Sequence, residues 1–478
     1  MRQSSLRIAL AVAREEWRAM WRNRVAVTAG LLLLALTLAA TLVSIEQMRA
    51  VNDERAHFQA SADQQWQSQP DRHPHRVVHY GHYVFRPLTP LAFFDFGVGP
   101  YTGHTLFLEG HRQNSANFSD AVQSSLLLRF GQLTPAFVLQ TLTPLLIVFL
   151  AFGSVARERQ GGQLRLLLSQ GVPGRALVAG KLVSHGAVAL LLAAPALLAL
   201  ALLAGFDAAI RLEAALMALG YALYLLLWTG GAVLVSSLVP RARDALLALV
   251  GVWIFTVVLL PRLMPDLANE TVPRPTRIET EVAIHKDAAK LGDSHNPDDP
   301  YFSKFRQQTL AKYGVSRVED LPVNYGGLVT REGERLTSEL FVRYMDEEFA
   351  RQERQGGIVG AAAVASPVIA LRRLSGALAG TDRDSHQAFL MQGEAYRYAL
   401  IQALNGLHVN EVRYEGDRDQ RVSSALWRDL PRFAYQAPAT DTLLRRHVLP
   451  ALALFAAWLA VLALGAAWAG RRLERTLK

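Results

Sequence analysis

Three groups of residues in this 478-residue chain have types and spacings that could do chemistry. The first is Gly174-Arg-Ala-Leu-Val-Ala-Gly180-Lys181, which has the outline of a phosphate-binding loop. Such a loop needs four residues between its glycines, so that backbone N–H groups wrap the phosphates. It also needs Ser or Thr after the lysine to hold Mg2+. Here five residues separate the glycines and Leu182 follows the lysine. The chain is therefore not expected to hydrolyse ATP or to carry a cofactor of its own. The second group is His73, His75, His79, His82, His104 and His111. Clustered imidazoles can bind Zn or Cu. The spacing is loose and no glutamate follows in a zincin pattern, so structural or surface roles are expected and no metal is assigned. The third group is Asp382, Asp384, His386 and Glu394. Thr381 or Asp382 capping a helix that starts near Ser385 explains it more simply than catalysis does. No catalytic residue is assigned.

The elements that must position these residues are set by composition. Half of the chain, 51%, is hydrophobic and 19% is charged. Mean hydropathy is +0.15. The apolar residues fall in runs long enough to cross the hydrocarbon core, which takes about 20 helical residues. The runs are Val25–Ile45, Leu133–Phe152, Leu182–Gly205, Ala214–Leu238, Ala245–Met264 and Val448–Gly470. Helix is the form expected, because lipid offers no partner to a free backbone N–H or C=O. The first run is read as an uncleaved anchor, since its apolar core is longer than that of a signal peptide.

Lysine and arginine near the run ends set the orientation. Arg2, Arg7, Arg14, Arg18, Arg22 and Arg24 precede the first run. Arg157, Arg159, Arg165, Arg175 and Lys181 lie between the second and third. Arg241 and Arg243 lie between the fourth and fifth, and Arg471, Arg472, Arg475 and Lys478 follow the sixth. With six spans all four segments share one side, which puts both termini in the cytoplasm. The net charge of +9 is then explained by topology and anionic lipid headgroups, with no nucleic-acid partner. The fold class expected is a mainly α membrane protein with a composite, α-rich extracytoplasmic domain.

The organisation expected is an interfacial helix in 1–24, spans at 25–45, 133–152, 182–205, 214–238, 245–264 and 448–470, outer insertions at 46–132 and 265–447, a cytoplasmic segment at 153–181 and a tail at 471–478. Within 1–24, Arg7–Trp21 has helical spacing, with Leu10, Val12, Trp17 and Trp21 apolar among charges. In the second insertion Leu336, Leu340, Phe341, Tyr344, Met345 and Phe349 give a helix near Arg335–Arg354. Gly356–Leu371 is apolar but short for a span, so it is either a core helix of the outer domain or a segment on the membrane surface. Pro261, Pro265, Pro273 and Pro275 are expected to close the fifth span. The glycines and Pro100 of DFGVGPYTG are expected to shape a tight turn, with Phe93, Phe94, Phe96 and Tyr101 packing around it. With no cysteine, the outer domain folds without disulfides.

The stretch between the second and third spans reads Arg157-Glu158-Arg159, Gly161-Gly162, Leu164, Leu166-Leu167-Leu168, Val172-Pro173-Gly174-Arg175 and Gly180-Lys181. It resembles the coupling segment of ABC transporter permeases of the ABC-2 class. The resemblance implies a short amphipathic helix that docks into a groove on a separate ATP-binding subunit. The contacts implied are Arg157, Glu158, Arg159, Gly162, Leu164, Leu167, Leu168, Pro173 and Arg175. It further implies two ATP-binding subunits, which hold the ATP and Mg2+, and a second permease, identical or related. The setting implied is the bacterial inner (cytoplasmic) membrane, and the direction is export. The outer segments His79–Gly103, Leu374–Leu390 and Leu426–Tyr435 resemble a branch of that class with large insertions after spans one and five. Such a domain could meet a periplasmic or outer-membrane component.

The spans hold few charges, which disfavours an ion-driven carrier. Gln140, Thr143, Tyr221, Tyr224 and Trp228 are the interior polar and aromatic candidates for a substrate path, with Thr141, Pro144 and Pro195 beside them. Two other readings stay open: a non-transporting ABC complex that passes ATP-driven motion to its outer domain, and a membrane-anchored envelope enzyme or assembly factor.

Overall fold

The computed structural model describes residues 2–114, 116, 117, 119, 132–294, 296 and 298–475. The stretch 120–131 of the first insertion and Lys478 of the tail lie outside the described residues. Among the described residues, six helical segments are long and apolar enough to cross a membrane: Arg24–Gln67, Pro135–Gln160, Gly174–Phe206, Ala208–Leu238, Ala242–Thr271 and Thr440–Arg475. Each covers one of the six apolar runs, except that the second starts at Pro135, two residues inside the expected Leu133.

Helix α1 (Arg2–Arg22) contains the expected Arg7–Trp21 segment. Its small residues Ala9 and Ala13 are buried, while Leu6, Leu10 and Trp21 are exposed. That split leaves the bulky apolar side chains free for an apolar surrounding. Helix α2 (Arg24–Gln67) is capped at Asn23, whose Oδ1 accepts from the Ala26 N–H at 3.2 Å. Its 44 residues make a rod of about 66 Å, far longer than the first apolar run alone. The distal half of α2 is tied to the loop after the first strand. Asn52 and Leu88 exchange two hydrogen bonds, of 2.8 and 3.0 Å, and Arg55 donates to the Arg86 carbonyl at 2.7 Å.

A short helix α3 (Pro74–Val78) and the antiparallel hairpin β1 (His82–Phe85) and β2 (Thr105–Leu108) follow. His82 pairs with Leu108 and Phe85 with Thr105. The first insertion thus contains strand as well as helix. In the turn before Gly97, Phe93, Phe94 and Phe96 are buried as expected, but Tyr101 is exposed. Phe94 packs edge-on against Tyr221, with ring centroids 4.8 Å apart, so this turn reaches the end of the helix bundle.

The second apolar segment enters through a π-helical turn at Val138–Leu142 and continues as α4 (Thr143–Ala151). Then come α5 (Ala156–Gln160), α6 (Gln163–Ser169), α7 (Gly174–Phe206) and α8 (Arg211–Leu238). Next are α9 (Ala242–Trp253), a π turn at Ile254–Leu259 and α10 (Leu260–Thr271). Pro261 and Pro265 were expected to end this helix, yet it runs on to Thr271. Pro261 sits at the start of α10, after the π turn, where its ring and missing N–H are tolerated.

The second insertion is helical: α11 (Arg277–Leu291), α12 (Pro300–Tyr313), α13 (Tyr325–Ala361), α14 (Pro367–Leu378) and α15 (Arg383–Glu411). Helix α13 contains the expected Arg335–Arg354 segment. Asp382 caps α15, accepting from the Ser385 N–H at 3.1 Å, as expected. The apolar stretch 356–371 is split between the end of α13 and the start of α14. Val368, Leu371 and Leu374 of α14 are buried in one core with Tyr221 and Tyr224 of α8. The segment is therefore a core helix, and it belongs to the core of the bundle itself. A π turn at Leu444–Val448 leads into α16 (Leu449–Arg475).

The two insertions join into one unit. Arg72 and Val422 form a β-bridge, the Ser424 N–H donates to Asp71 at 2.8 Å, and Trp66, Val77, Leu404 and Trp427 share a core. This unit occupies one end of the bundle. The four basic segments lie together at the other.

Candidate functional site

The basic end is organised by α5 and α6. Gly162 (φ 77°) precedes α6 and Gly171 (φ 84°) ends it. Both positions need the left-handed region that glycine enters at no steric cost. The Gly171 and Val172 N–H groups donate back to the Leu168 and Leu167 carbonyls, both at 3.1 Å. This is the paired closure that terminates a helix cleanly.

Buried polar contacts fix the segment to the neighbouring helices. Lys181 of α7 is paired with Glu158 of α5 and, at 2.5 Å, with Glu16 of α1. His185, one turn along α7, bonds the other Glu16 oxygen at 3.1 Å. Burial works against the Glu16 carboxylate, but the His185 bond and the Lys181 charge outweigh it and hold its pKa below the ordinary value. Arg159 donates to the Val239 carbonyl at 2.6 Å and the Ser237 carbonyl at 2.5 Å, so it caps the end of α8. Ser236 Oγ accepts the Val155 and Ala156 N–H groups at 3.0 and 3.1 Å. Gln160 Oε1 accepts from the Ala242 N–H at the start of α9, at 3.1 Å. Glu474 of α16 accepts from the Gly174 N–H at 2.8 Å. Gly174 and Gly470 let α7 and α16 approach closely, since a Cβ on Gly174 would lie 2.3 Å from the Gly470 carbonyl oxygen.

This geometry revises how the expected contact residues are used within the chain. Leu164 and Leu168 are buried in the chain's own core, and Leu167 is half-buried against it. Glu158 and Arg159 are committed to Lys181 and to the end of α8. The outward face carries Arg157, Gly162, Arg165, Leu166 and Arg175, with Pro173 half-buried. Leu166 belongs to the leucine run, but sequence spacing alone could not separate it from its inward neighbours on so short a helix.

The candidate path residues meet at the opposite end. Gln140 Nε2 donates to the Tyr221 hydroxyl at 2.7 Å, and Tyr221 bonds Ser375 of α14 at 2.9 Å. Arg372 of α14 donates to Gln140 Oε1 at 3.1 Å. The Tyr224 hydroxyl donates to the Gln140 carbonyl at 2.8 Å. That carbonyl is the one Pro144 cannot serve, having no N–H. Thr143 bonds the Val138 carbonyl at 3.1 Å, and Trp228 is buried nearby on α8. In the conformation described, these residues form a satisfied, packed network roofed by α14.

The third sequence group separates. Asp384 pairs with Arg383, Arg446 and His447, whereas Glu394 pairs with Arg397 at 2.8 Å and Arg397 with Glu334 at 2.6 Å. His73 bonds Asp417 at 2.8 Å and His82 pairs with Asp63 at 3.4 Å. His75, His79 and His111, distant or loosely spaced in sequence, come together.

Comparison with known proteins follows the same division. A family described as a domain of unknown function (DUF3526) matches residues 277–436, which lie within the second insertion. Over 96 residues the chain is 36% identical to a protein of Stutzerimonas stutzeri named "Probable ABC transporter permease protein NosY". The match covers 20% of this chain and 31% of that relative. The family described as ABC-2 family transporter protein matches residues 10–301, more than half of the chain, from α1 through the start of α12. The match takes in α5, α6 and the Glu16–Lys181–Glu158 group, though not their contacts with α16, and the chain belongs to the ABC-2 family of transporter proteins.

Proposed function

We propose that the chain is the permease subunit of an ATP-driven exporter, and that the face carrying Arg157, Arg165, Leu166 and Arg175 docks on a separate ATP-binding subunit. The observation that carries this reading is the anchoring of α5 to α7, to the end of α8 and to the start of α9, with α7 tied in turn to α1 and α16. A push on the short segment is shared by helices that lead to the far end of the bundle. One segment engages one ATP-binding subunit, so two permease chains stand above two ATPase chains, which hold ATP and Mg2+. The assembly sits in the inner membrane with both termini cytoplasmic and the joined insertions outside.

The test is co-purification of the chain with its ATPase and assay of ATP hydrolysis in lipid nanodiscs. Leu166→Asp with Arg165→Glu should abolish association while leaving the melting temperature unchanged. Association that survives both changes sinks the docking face.

One observation favours a second mode of action on the same ATPase. Helix α14 of the insertion is bonded directly to Gln140 and Tyr221, so motion of the spans reaches the outer unit without an open path. ATP-dependent movement of the outer unit with no flux of any cargo would select this reading over export.

A further inference from the structure

The described residues contain three clusters of metal-ligating side chains: His73, His408 and Asp417; Asp382, Asp384 and His447; and His75, His79 and His111. In the first, Asp417 Oδ1 already bonds both imidazoles, at 2.8 and 2.9 Å, which accounts for the cluster as a buried hydrogen-bond network. In the second, Asp384 is held by Arg383 at 3.0 Å and Arg446 at 3.2 Å, and two guanidinium groups oppose a further cation. The third is all nitrogen.

We propose that His75, His79 and His111 form a binding site for a borderline divalent transition-metal ion of the zinc type, with an open fourth position. The Nε2 atoms of His75 and His79 are 3.3 Å apart. A tetrahedral ion with Zn–N bonds of about 2.0–2.1 Å has its ligand nitrogens about 3.3–3.4 Å apart, so this edge already has the length a metal needs. One ligand atom from each of the three residues lies within 4.8 Å of the others, a spread that small rotamer changes close. Pro74 starts α3, and the His73 ring accepts from the His75 N–H at 3.1 Å, which sets the turn that stacks His75 and His79 four residues apart.

His111 comes from another element and is held by two features. Its backbone is left-handed, φ 62°, the single such non-glycine among the described residues. A non-glycine residue persists there when its surroundings over-determine it. Its N–H donates to Glu334 Oε2 at 3.0 Å, and its Nδ1 lies 3.4 Å from the same oxygen. A carboxylate on one imidazole nitrogen orients the ring and raises the basicity of the other, the usual outer support of a metal-bound histidine. Glu334 is in turn fixed by Arg397. His79 is exposed, which leaves an approach for the ion and room for water or an exchanging ligand.

The experiment uses the full chain in nanodiscs, stripped with chelator. Zn2+ is titrated in competition with a chromogenic chelator, and Co2+ is added as a spectroscopic probe. The expected result is one ion per chain with a visible Co2+ band of tetrahedral intensity, and a melting temperature raised by Zn2+. His79→Ala and His111→Asn should each weaken Zn2+ binding by about 100-fold or more, beyond the 10–100-fold typical of outer-shell losses. His79 is exposed and asparagine tolerates the left-handed backbone, so both variants should fold. His57→Ala and His285→Ala, also exposed, should bind as the parent does. Absence of stoichiometric binding, or binding unchanged in both site variants, overturns the proposal. None of these readouts depends on the ATPase, so this site and the docking face fail separately.

Discussion

At the residue scale, Lys181 is the buried cation that joins α1, α5 and α7. Its side chain is 4% exposed and it neutralises two carboxylates, from Glu16 and Glu158. Lys181→Met leaves Glu158 without its cation and Glu16 with His185 alone in a protected site, and breaking such a pair costs about 3–5 kcal/mol. Thermal unfolding in detergent should show that loss, and Glu158→Gln added to Lys181→Met should restore part of it. A second residue-level consequence concerns pH. Burial first, and then Arg55 and Arg86, push His104 down to about 4, while burial and Arg86 do the same to His386. Their unfolded value is 6.5, so between these limits the unfolded chain binds more protons than the folded one. Stability of the joined insertions should be full above about pH 6.5 and fall as pH drops towards 4, since protonation sets new cations beside Arg86. Asparagine at both positions should flatten that slope in melts taken across the range. The identity of these residues was legible in the sequence. Their surroundings were not, because Arg86, His104 and His386 lie on separate elements.

At the element scale, the apolar runs located the six described helical segments long and apolar enough to cross a membrane, since lipid-length hydrophobicity is a local property of the chain. Their ends were less legible. Three helices carry π turns, at 138–142, 254–259 and 444–448, and Pro144, Pro261 and Pro450 stand two residues beyond them. A proline ring clashes with the carbonyl four residues back, and one extra residue in the turn relieves it. The prolines were visible, but whether each breaks or bulges its helix depends on a neighbour able to serve the freed carbonyl, as Tyr224 does for Gln140. The mating of α1 with α7 was likewise hidden. It depends on Gly180, where a Cβ would lie 2.6 Å from both the Ala9 carbonyl oxygen and the Val12 side chain. Gly180→Leu should lift α1 off α7 at a cost of about 1–3 kcal/mol for overpacking. It should also uncouple ATP hydrolysis from the spans while leaving the exposed face of α6 able to bind the ATPase. Equal loss of binding would show that α1 contributes to docking directly.

At the scale of the whole molecule, the arginines bear on the orientation proposed for the chain. The structure gathers the N-terminal helix, α5 with α6, the α8–α9 turn and the end of α16 at one end of the bundle, through Glu16–Lys181, Arg159–Val239 and Gly174–Glu474. These are the short segments whose Lys and Arg content governs orientation, whereas charges on a large folded insertion have little influence. In the proposed orientation α6 lies in the cytoplasm and α12 outside, although both ends of the molecule carry arginine. The chain has no cysteine, so an introduced thiol reports alone. Ser169 on α6 and Gln307 on α12 are both exposed. A membrane-impermeant maleimide, applied to cells whose outer membrane is permeabilised, should label Gln307→Cys and spare Ser169→Cys until the inner membrane is broken. The opposite pattern would invert the molecule. It would move the three-histidine cluster into the cytoplasm and remove the docking face from any ATPase there.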